Sequence, residues 1–339
     1  MINQVYRLVE PRRIEISFQS ISLDTDNVIV RPTYLSICAA DQRYYMGIRS
    51  KEYLKRKLPM ALIHEATGIV VYDRKGEFKP GEKVALIPNT PFHKDEFIAE
   101  NYLPTSKFRA SGFDGFMQEY VSMDRSRLVE CNGINPVVAS VTELISVAMH
   151  AVDTFLNRAH GRRETIGVWG DGNLGYVTAL LLRYKSPNSK IIAVGRHYQK
   201  LKFFSFVDGI FHLDELPDEI MVDHAFECVG GPGAEFAIEQ IIDHINPEGS
   251  ILLLGVTENR VPIFTRMILE KGLTLIGRSR SGREDFVNAV NLLKTHKDFE
   301  QNVSKILNNV ISVSNIKEIS AAFELDIQTP FKTIMQWNV

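Results

Sequence analysis

The spacing of apolar residues changes part-way along the chain. Over residues 1–130 they fall in short runs rich in Val, Ile and Tyr: 28-VIVRPTYLSI-37, 68-GIVVYD-73 and 83-KVALIPN-89. Turn signals such as 79-KPGEK-83 separate these runs. This pattern predicts a partly open barrel or sandwich. Near residue 136 the spacing becomes helical, and Val141, Leu144, Ile145, Ala148 and Val152 predict a helix over 136–156. A strand–turn–helix unit follows, 165-TIGVWGDGNLGYVTALLLRYK-185. Further strands are predicted at 190–195, 222–229, 250–256 and 273–277, with helical stretches between them, including 233–245. Strands alternating with helices predict an α/β unit, a parallel sheet covered on both faces. The tail, 284–339, reads as a helix followed by strands. It is too short for a domain of its own and is expected to rejoin the first.

Length and composition narrow this picture. A chain of 339 residues fits two domains, and 45% apolar with 24% charged residues leaves material for two cores. The net charge of −2 and the lack of a long Lys/Arg run argue against nucleic acid as the main ligand. No apolar stretch of membrane-spanning length occurs and the N-terminus carries no signal-like core, so a soluble cytoplasmic protein is expected, with no membrane partner. The three cysteines, Cys38, Cys131 and Cys228, are too few for a disulfide framework and exclude a four-cysteine structural zinc site.

Two groups of residues carry chemistry. The first is Gly170-Asp171-Gly172-Asn173-Leu174-Gly175, which follows a predicted strand and opens a predicted helix. There Gly170 permits a tight turn, Gly172 lets backbone approach a pyrophosphate, and Gly175 allows close helix–strand packing beside a helix N-terminus that favours negative charge. NAD sites place an acid at the end of the next strand, for the ribose 2′-OH. Here Gly195-Arg196-His197 and Lys200 stand instead, which favours the 2′-phosphate of NADP(H). The second group is Cys38, His64, Glu65 and Glu143. One thiolate, one imidazole and carboxylates can supply a tetrahedral zinc site with an exchangeable position. Each also has an ordinary explanation, as a buried thiol, a core histidine or a helix carboxylate, and spacing alone does not choose between them.

These segments resemble the medium-chain dehydrogenase/reductase superfamily, which includes zinc alcohol and sorbitol dehydrogenases. The resemblance spans essentially the whole chain through Cys38 and Asp41, His64-Glu65 with Gly68, Gly81-x-Lys83-Val84, Glu143 with Ser146-Val147, and the glycine loop. It implies a GroES-like β-barrel catalytic domain over 1–145, completed by 284–339, and a Rossmann NADP-binding domain over 146–283. It also implies one catalytic zinc held by Cys38, His64 and Glu143, with Glu65 a ligand or near-ligand and Tyr44 contacting substrate. Cys38, Tyr44 and Glu65 are then the catalytic candidates, and Asp41 is expected either to orient a ligand or to stabilise the loop.

The strings ICAADQRYY, GFDGFMQEYV, WGDGNLGY, DHAFECVGG and GRSRSGREDF are similar to the bacterial ribulose-5-phosphate reductases within that superfamily. That similarity implies NADPH-dependent reduction of D-ribulose 5-phosphate to D-ribitol 5-phosphate, with zinc as Lewis acid, feeding CDP-ribitol synthesis for teichoic acid or capsule. It further implies a cytidylyltransferase partner and a homodimer. Arg43 and Arg280 are the foremost candidates for the substrate phosphate, with Arg49, Lys51 and Arg109 behind them. Two departures stand out. Residues 89–112, where relatives carry a structural zinc lobe, hold no cysteine, and Ala40 replaces the usual hydroxyl of the proton relay. The alternatives are a zinc dehydrogenase of another polyol or polyol phosphate, a zinc-free reductase of the superfamily, and a catalytically silent nucleotide-binding protein.

Overall fold

Strand pairing organises the chain into four sheets in the computed structural model, which describes residues 1–339. Two units result: Met1–Ser146 with Ser281–Val339, and Val147–Arg280.

In the first unit the main sheet runs through Leu128–Glu130, Lys83–Leu86, Glu65–Asp73, Val28–Ser36, Lys332–Trp337 and Leu307–Val313, and Val121–Met123 pairs with Val28–Ser36 beside that path. A smaller sheet joins Arg13–Ser20, Ile2–Glu10 and Met60–Ala61. Val5, Leu8, Val30, Leu35, Leu62, Phe116 and Met335 fill the core between these strands, each with no exposed surface. Register positions the chemistry. Ser36 pairs with Glu65 on one side and with Ile334 on the other, so the last strand of the chain reaches the segment that carries His64 and Glu65.

Residues 89–112 form a lobe closed by the short pair Asn89–Thr90 and Lys107–Phe108. Where a metal could have tied this lobe, Glu100 does so. Its carboxylate takes Arg127 Nη1 at 2.8 Å and the Arg283 amide at 2.7 Å, and its carbonyl takes Ser106 Oγ at 2.7 Å and Asn89 Nδ2 at 3.3 Å.

The second unit holds a six-stranded parallel sheet in the order Gly209–His212, Lys190–Gly195, Thr165–Trp169, Val222–Glu227, Ile245–Leu253, Thr274–Gly277. This is the doubly wound order expected from the strand–helix alternation. Direction along the sheet reverses at Thr165–Trp169, and such switch points are where α/β sheets bind ligands. Gly209–His212 was not foreseen, because four residues carry too little periodicity to stand out.

The helix predicted over 136–156 is interrupted. Pro136–Ala139 and Thr142–Arg158 are separate helices. The hydroxyls of Ser140 and Thr142 donate to the carbonyls of Val137 and Ala139, both at 2.7 Å, and so compete for groups that a continuous helix would use. The tail alternates helix and strand: helices Arg283–Thr295, Lys297–Ser304 and Ile316–Gln328, and strands Leu307–Val313 and Lys332–Trp337. No helix is long and apolar enough to cross a membrane.

Candidate functional site

Cys38, at the N-cap of the helix Ala39–Tyr45, and His64-Glu65, at the start of the strand Glu65–Asp73, converge. One ligand atom from each lies within 4.8 Å of the others. His64 is 6% exposed and Glu65 is fully buried, while Cys38 is partly open. A soft thiolate, an imidazole and a carboxylate with one accessible edge form a donor set that suits a catalytic zinc.

Two residues fix this group. Asp41 Oδ1 accepts the Ile63 amide at 3.0 Å and lies 3.5 Å from His64 Nδ1. Its Oδ2 accepts the Cys38 amide at 3.1 Å. Ile63 itself sits at φ 69°, a conformation a β-branched residue rarely adopts. The surroundings enforce it: the Phe116 amide donates to the Ile63 carbonyl at 2.7 Å, and a Cβ on Gly115 would lie 2.3 Å from that same oxygen. Backbone strain held in place this way is typical of functional sites.

Glu65 is held on its far side. Lys332 Nζ donates to Oε1 at 2.6 Å and Ser36 Oγ donates to Oε2 at 2.9 Å. Lys332 is 2% exposed and also donates to the Ile37 carbonyl at 3.1 Å. Sequence reasoning missed Lys332. The available signal was a single charged residue in the closing strand, next to Phe331 and two residues before Ile334-Met335.

Glu143, on the helix Thr142–Arg158, is 6% exposed and stands outside the group of three, yet within electrostatic reach of it. Burial pushes its carboxyl up to about 7, the His64 charge pulls it down and Glu65 pushes it up. Burial disfavours a charged His64 ring, but Asp41 and Cys38 outweigh that and raise its proton affinity. The pocket is therefore rich in acids and favours a cation.

Tyr44 is 2% exposed, and burial together with Tyr53 keeps its phenol protonated. The guanidinium of Arg49 stacks on Tyr44 at 4.4 Å and on Tyr53 at 4.9 Å. Arg43 lies on the same helix as Tyr44, Lys51 opens the helix Lys51–Lys57, and Arg280 belongs to the second unit. Arg109 is engaged elsewhere, donating to the carbonyls of Asp114 and Ser122 at 3.1 and 3.2 Å.

In the second unit the glycine loop sits at the switch point. Gly170 has φ +129°, and a Cβ on Gly175 would lie 1.9 Å from the Gly170 carbonyl oxygen, so neither position admits a side chain. Gly172 caps the helix Asn173–Lys185, and a Cβ there would project into open space, the volume a pyrophosphate would take. The buried Oδ1 of Asn173 has no hydrogen-bond partner, and Leu174 follows it in the first turn. Arg196 is exposed and Lys200 half-buried just beyond the strand Lys190–Gly195. These features fit a phosphate-bearing dinucleotide.

Comparison with known proteins bears on both sites. Residues 24–133 match the alcohol dehydrogenase GroES-like domain. The chain is 52% identical to a ribulose-5-phosphate reductase of Bacillus spizizenii and 50% identical to ribulose-5-phosphate reductase 2 of Staphylococcus aureus, each time over the full length of both chains. Among solved structures, S. aureus TarJ in complex with NADPH superposes with a TM-score of 0.90 at 45% identity, again covering 100% of both chains.

Proposed function

The chain belongs to the ribulose-5-phosphate reductases of the medium-chain dehydrogenase/reductase superfamily, and on that premise we propose that it reduces D-ribulose 5-phosphate to D-ribitol 5-phosphate with NADPH. The observation that carries the chemistry is the convergence of Cys38, His64 and Glu65 in a buried, acid-rich pocket with one open edge. A zinc bound there would supply Lewis acidity to a carbonyl oxygen, and NADPH would supply the reducing equivalent.

The chain's own residues hold and orient. Cys38, His64 and Glu143 are the proposed ligands. Glu65, clamped by Lys332 and Ser36, is the proposed fourth ligand or near-ligand. Asp41, 3.5 Å from His64 Nδ1, is the proposed residue that orients the ring, the work expected of an outer-shell carboxylate. Tyr44 offers a protonated phenol to the substrate. Arg43, Arg49 and Arg280 are the proposed cations for the substrate phosphate, since bidentate arginine suits that group. Gly170, Gly172, Asn173, Leu174 and Gly175 would receive the pyrophosphate, with Arg196 and Lys200 at the 2′-phosphate. With Ala40 at the relay position, the proton is proposed to arrive through water.

A homodimer is proposed as the assembly. Thr274–Gly277 is paired on one side only, its own Leu275 is 37% exposed and Leu269 of the preceding helix is 81% exposed, which supports a homodimer formed along that edge. A cytoplasmic role supplying ribitol phosphate to a cytidylyltransferase, for teichoic acid or capsule, completes the proposal.

The deciding assay is NADPH oxidation with D-ribulose 5-phosphate, compared with unphosphorylated ribulose and with NADH. Turnover confined to the phosphorylated ketose and NADPH is expected. Equal turnover of unphosphorylated ribulose would place the substrate elsewhere among the polyols.

A further inference from the structure

Arg196 and Lys200 account for charge at the end of the second strand, but not for Asp171, an acid inside the glycine loop itself. Asp171 is 8% exposed. Its Oδ2 accepts the amides of Arg196 and His197 at 2.7 and 2.6 Å and lies 3.0 Å from His197 Nδ1. The same turn is held from its other side. His212 Nδ1 accepts the Asp214 amide, so Nε2 carries the proton and donates to the Arg196 carbonyl at 2.8 Å. Asp171 also occupies space. A Cβ built on Gly195 would lie 2.6 Å from Asp171 Cβ and 2.9 Å from its Oδ2. In dinucleotide sites that take a free ribose 2′-OH, the acid projects from the end of the second strand. Here that strand ends on Gly195, the acid comes from the loop instead, and its inward oxygen is committed to two backbone amides.

We propose that Asp171 and Gly195 form a coupled pair that sets selectivity for a 2′-phosphorylated adenine dinucleotide. Asp171 is a positioning residue: it folds the Arg196–His197 turn so that the cations beyond the strand border the ribose, and it bars any side chain at residue 195. Gly195 in turn removes the acid that would repel a 2′-phosphate and gives Asp171 its room. The proposal rests on the NADP reading above, and it requires the two positions to change together. An acid introduced at 195 collides with Asp171, so selectivity cannot be inverted by one substitution.

The test is equilibrium binding to the full chain, by calorimetry, with NADPH and NADH and with the fragments adenosine 2′,5′-bisphosphate and 5′-AMP. The fragments report on the adenosine end without turnover. Asp171→Ala should weaken the bisphosphate by about tenfold or more, as expected for loss of charge-assisted bonds, and leave 5′-AMP nearly unchanged. Asp171→Asn can turn its carbonyl oxygen onto the same two amides, and should keep the bisphosphate/AMP ratio within about threefold of wild type. Gly195→Asp alone should weaken both fragments. The pair Asp171→Gly/Gly195→Asp, which removes the Cβ that lies 2.6 Å from a Cβ at 195 as well as the carboxylate, should recover 5′-AMP and NADH and leave the bisphosphate weak, inverting the preference. If Asp171→Ala and the double variant both keep the wild-type ratio, or if Gly195→Asp alone inverts it, the coupling is wrong. Failure of the underlying reading looks different. The wild-type chain would then bind both fragments alike, or Arg196→Ala would leave their ratio unmoved.

Discussion

Lys332 and Glu65 lie 267 residues apart in the chain and meet at 2.6 Å, both almost wholly buried. The last strand supplies the counter-charge for an acid in the proposed metal pocket. Removing one partner of a buried pair leaves the other charge uncompensated, at a cost of about 3–5 kcal/mol. Lys332→Met should therefore lower the unfolding free energy measured in urea by roughly that amount, and adding Glu65→Gln should recover a large part of it. A double-mutant cycle measures the coupling, with about 2 kcal/mol expected. Additive effects would mean that the contact contributes little.

Asp41 acts on the pocket through His64 and through two amides. Asp41→Asn keeps the shape but removes the charge facing His64 Nδ1, which lies 3.5 Å away. Zinc affinity should fall by about 10–100-fold, the usual consequence of altering a ligand's outer-shell partner. Competition with a chromogenic chelator measures it. Asp41→Ala should go further and lower stability as well, because the amides of Ile63 and Cys38 lose their acceptor.

Glu100 should anchor the cysteine-free lobe without touching the metal pocket. Glu100→Gln leaves Arg127, 5% exposed, without its carboxylate, and should cost about 2 kcal/mol locally. Limited proteolysis should then cut within 89–106 faster, while zinc content stays at the wild-type level. Unchanged cleavage would show that the backbone bonds of the lobe suffice.

What the sequence disclosed follows from how local each feature is. The glycine loop was legible because strand, glycines and helix are contiguous and each glycine has its own steric reason. Apolar spacing pointed to Val28–Ser36, Glu65–Asp73 and Lys83–Leu86 in the first unit and to the second sheet apart from the brief Gly209–His212, but Ile2–Glu10 and Arg13–Ser20, whose outer faces are partly or wholly exposed, did not stand out. Cys38, His64 and Glu65 could be named as donors, but their convergence depends on sheet register that no local pattern encodes. The same holds for Lys332, visible only as a lysine inside 331-FKTIMQW-337. Asp171 was passed over because the motif leaves its position unspecified. Its role became visible only once the Arg196 and His197 amides were seen to point at it.

Acid should weaken the second unit through His224. This ring is fully buried. It accepts the Ser250 amide at Nδ1, at 3.1 Å, and donates from Nε2 to the Arg162 carbonyl, at 2.9 Å, so the neutral form is fully used. Burial and the neighbouring His160, whose ring centre lies 4.3 Å away, lower its proton affinity to about 4, while Asp223 opposes and Arg163 adds to the shift. The unfolded chain takes up this proton near the ordinary histidine value, about 6.5. Between those values the unfolded state binds more protons, so the stabilisation is complete above about 6.5 and declines as pH falls toward 4. From pH 7.5 to 5.5 the loss should be about 1 kcal/mol, with allowance for solvent screening. Urea unfolding of wild type and His224→Gln across that range checks this. The variant should be less stable at pH 7.5 but change less on acidification, and parallel slopes would place the acid sensitivity on another group.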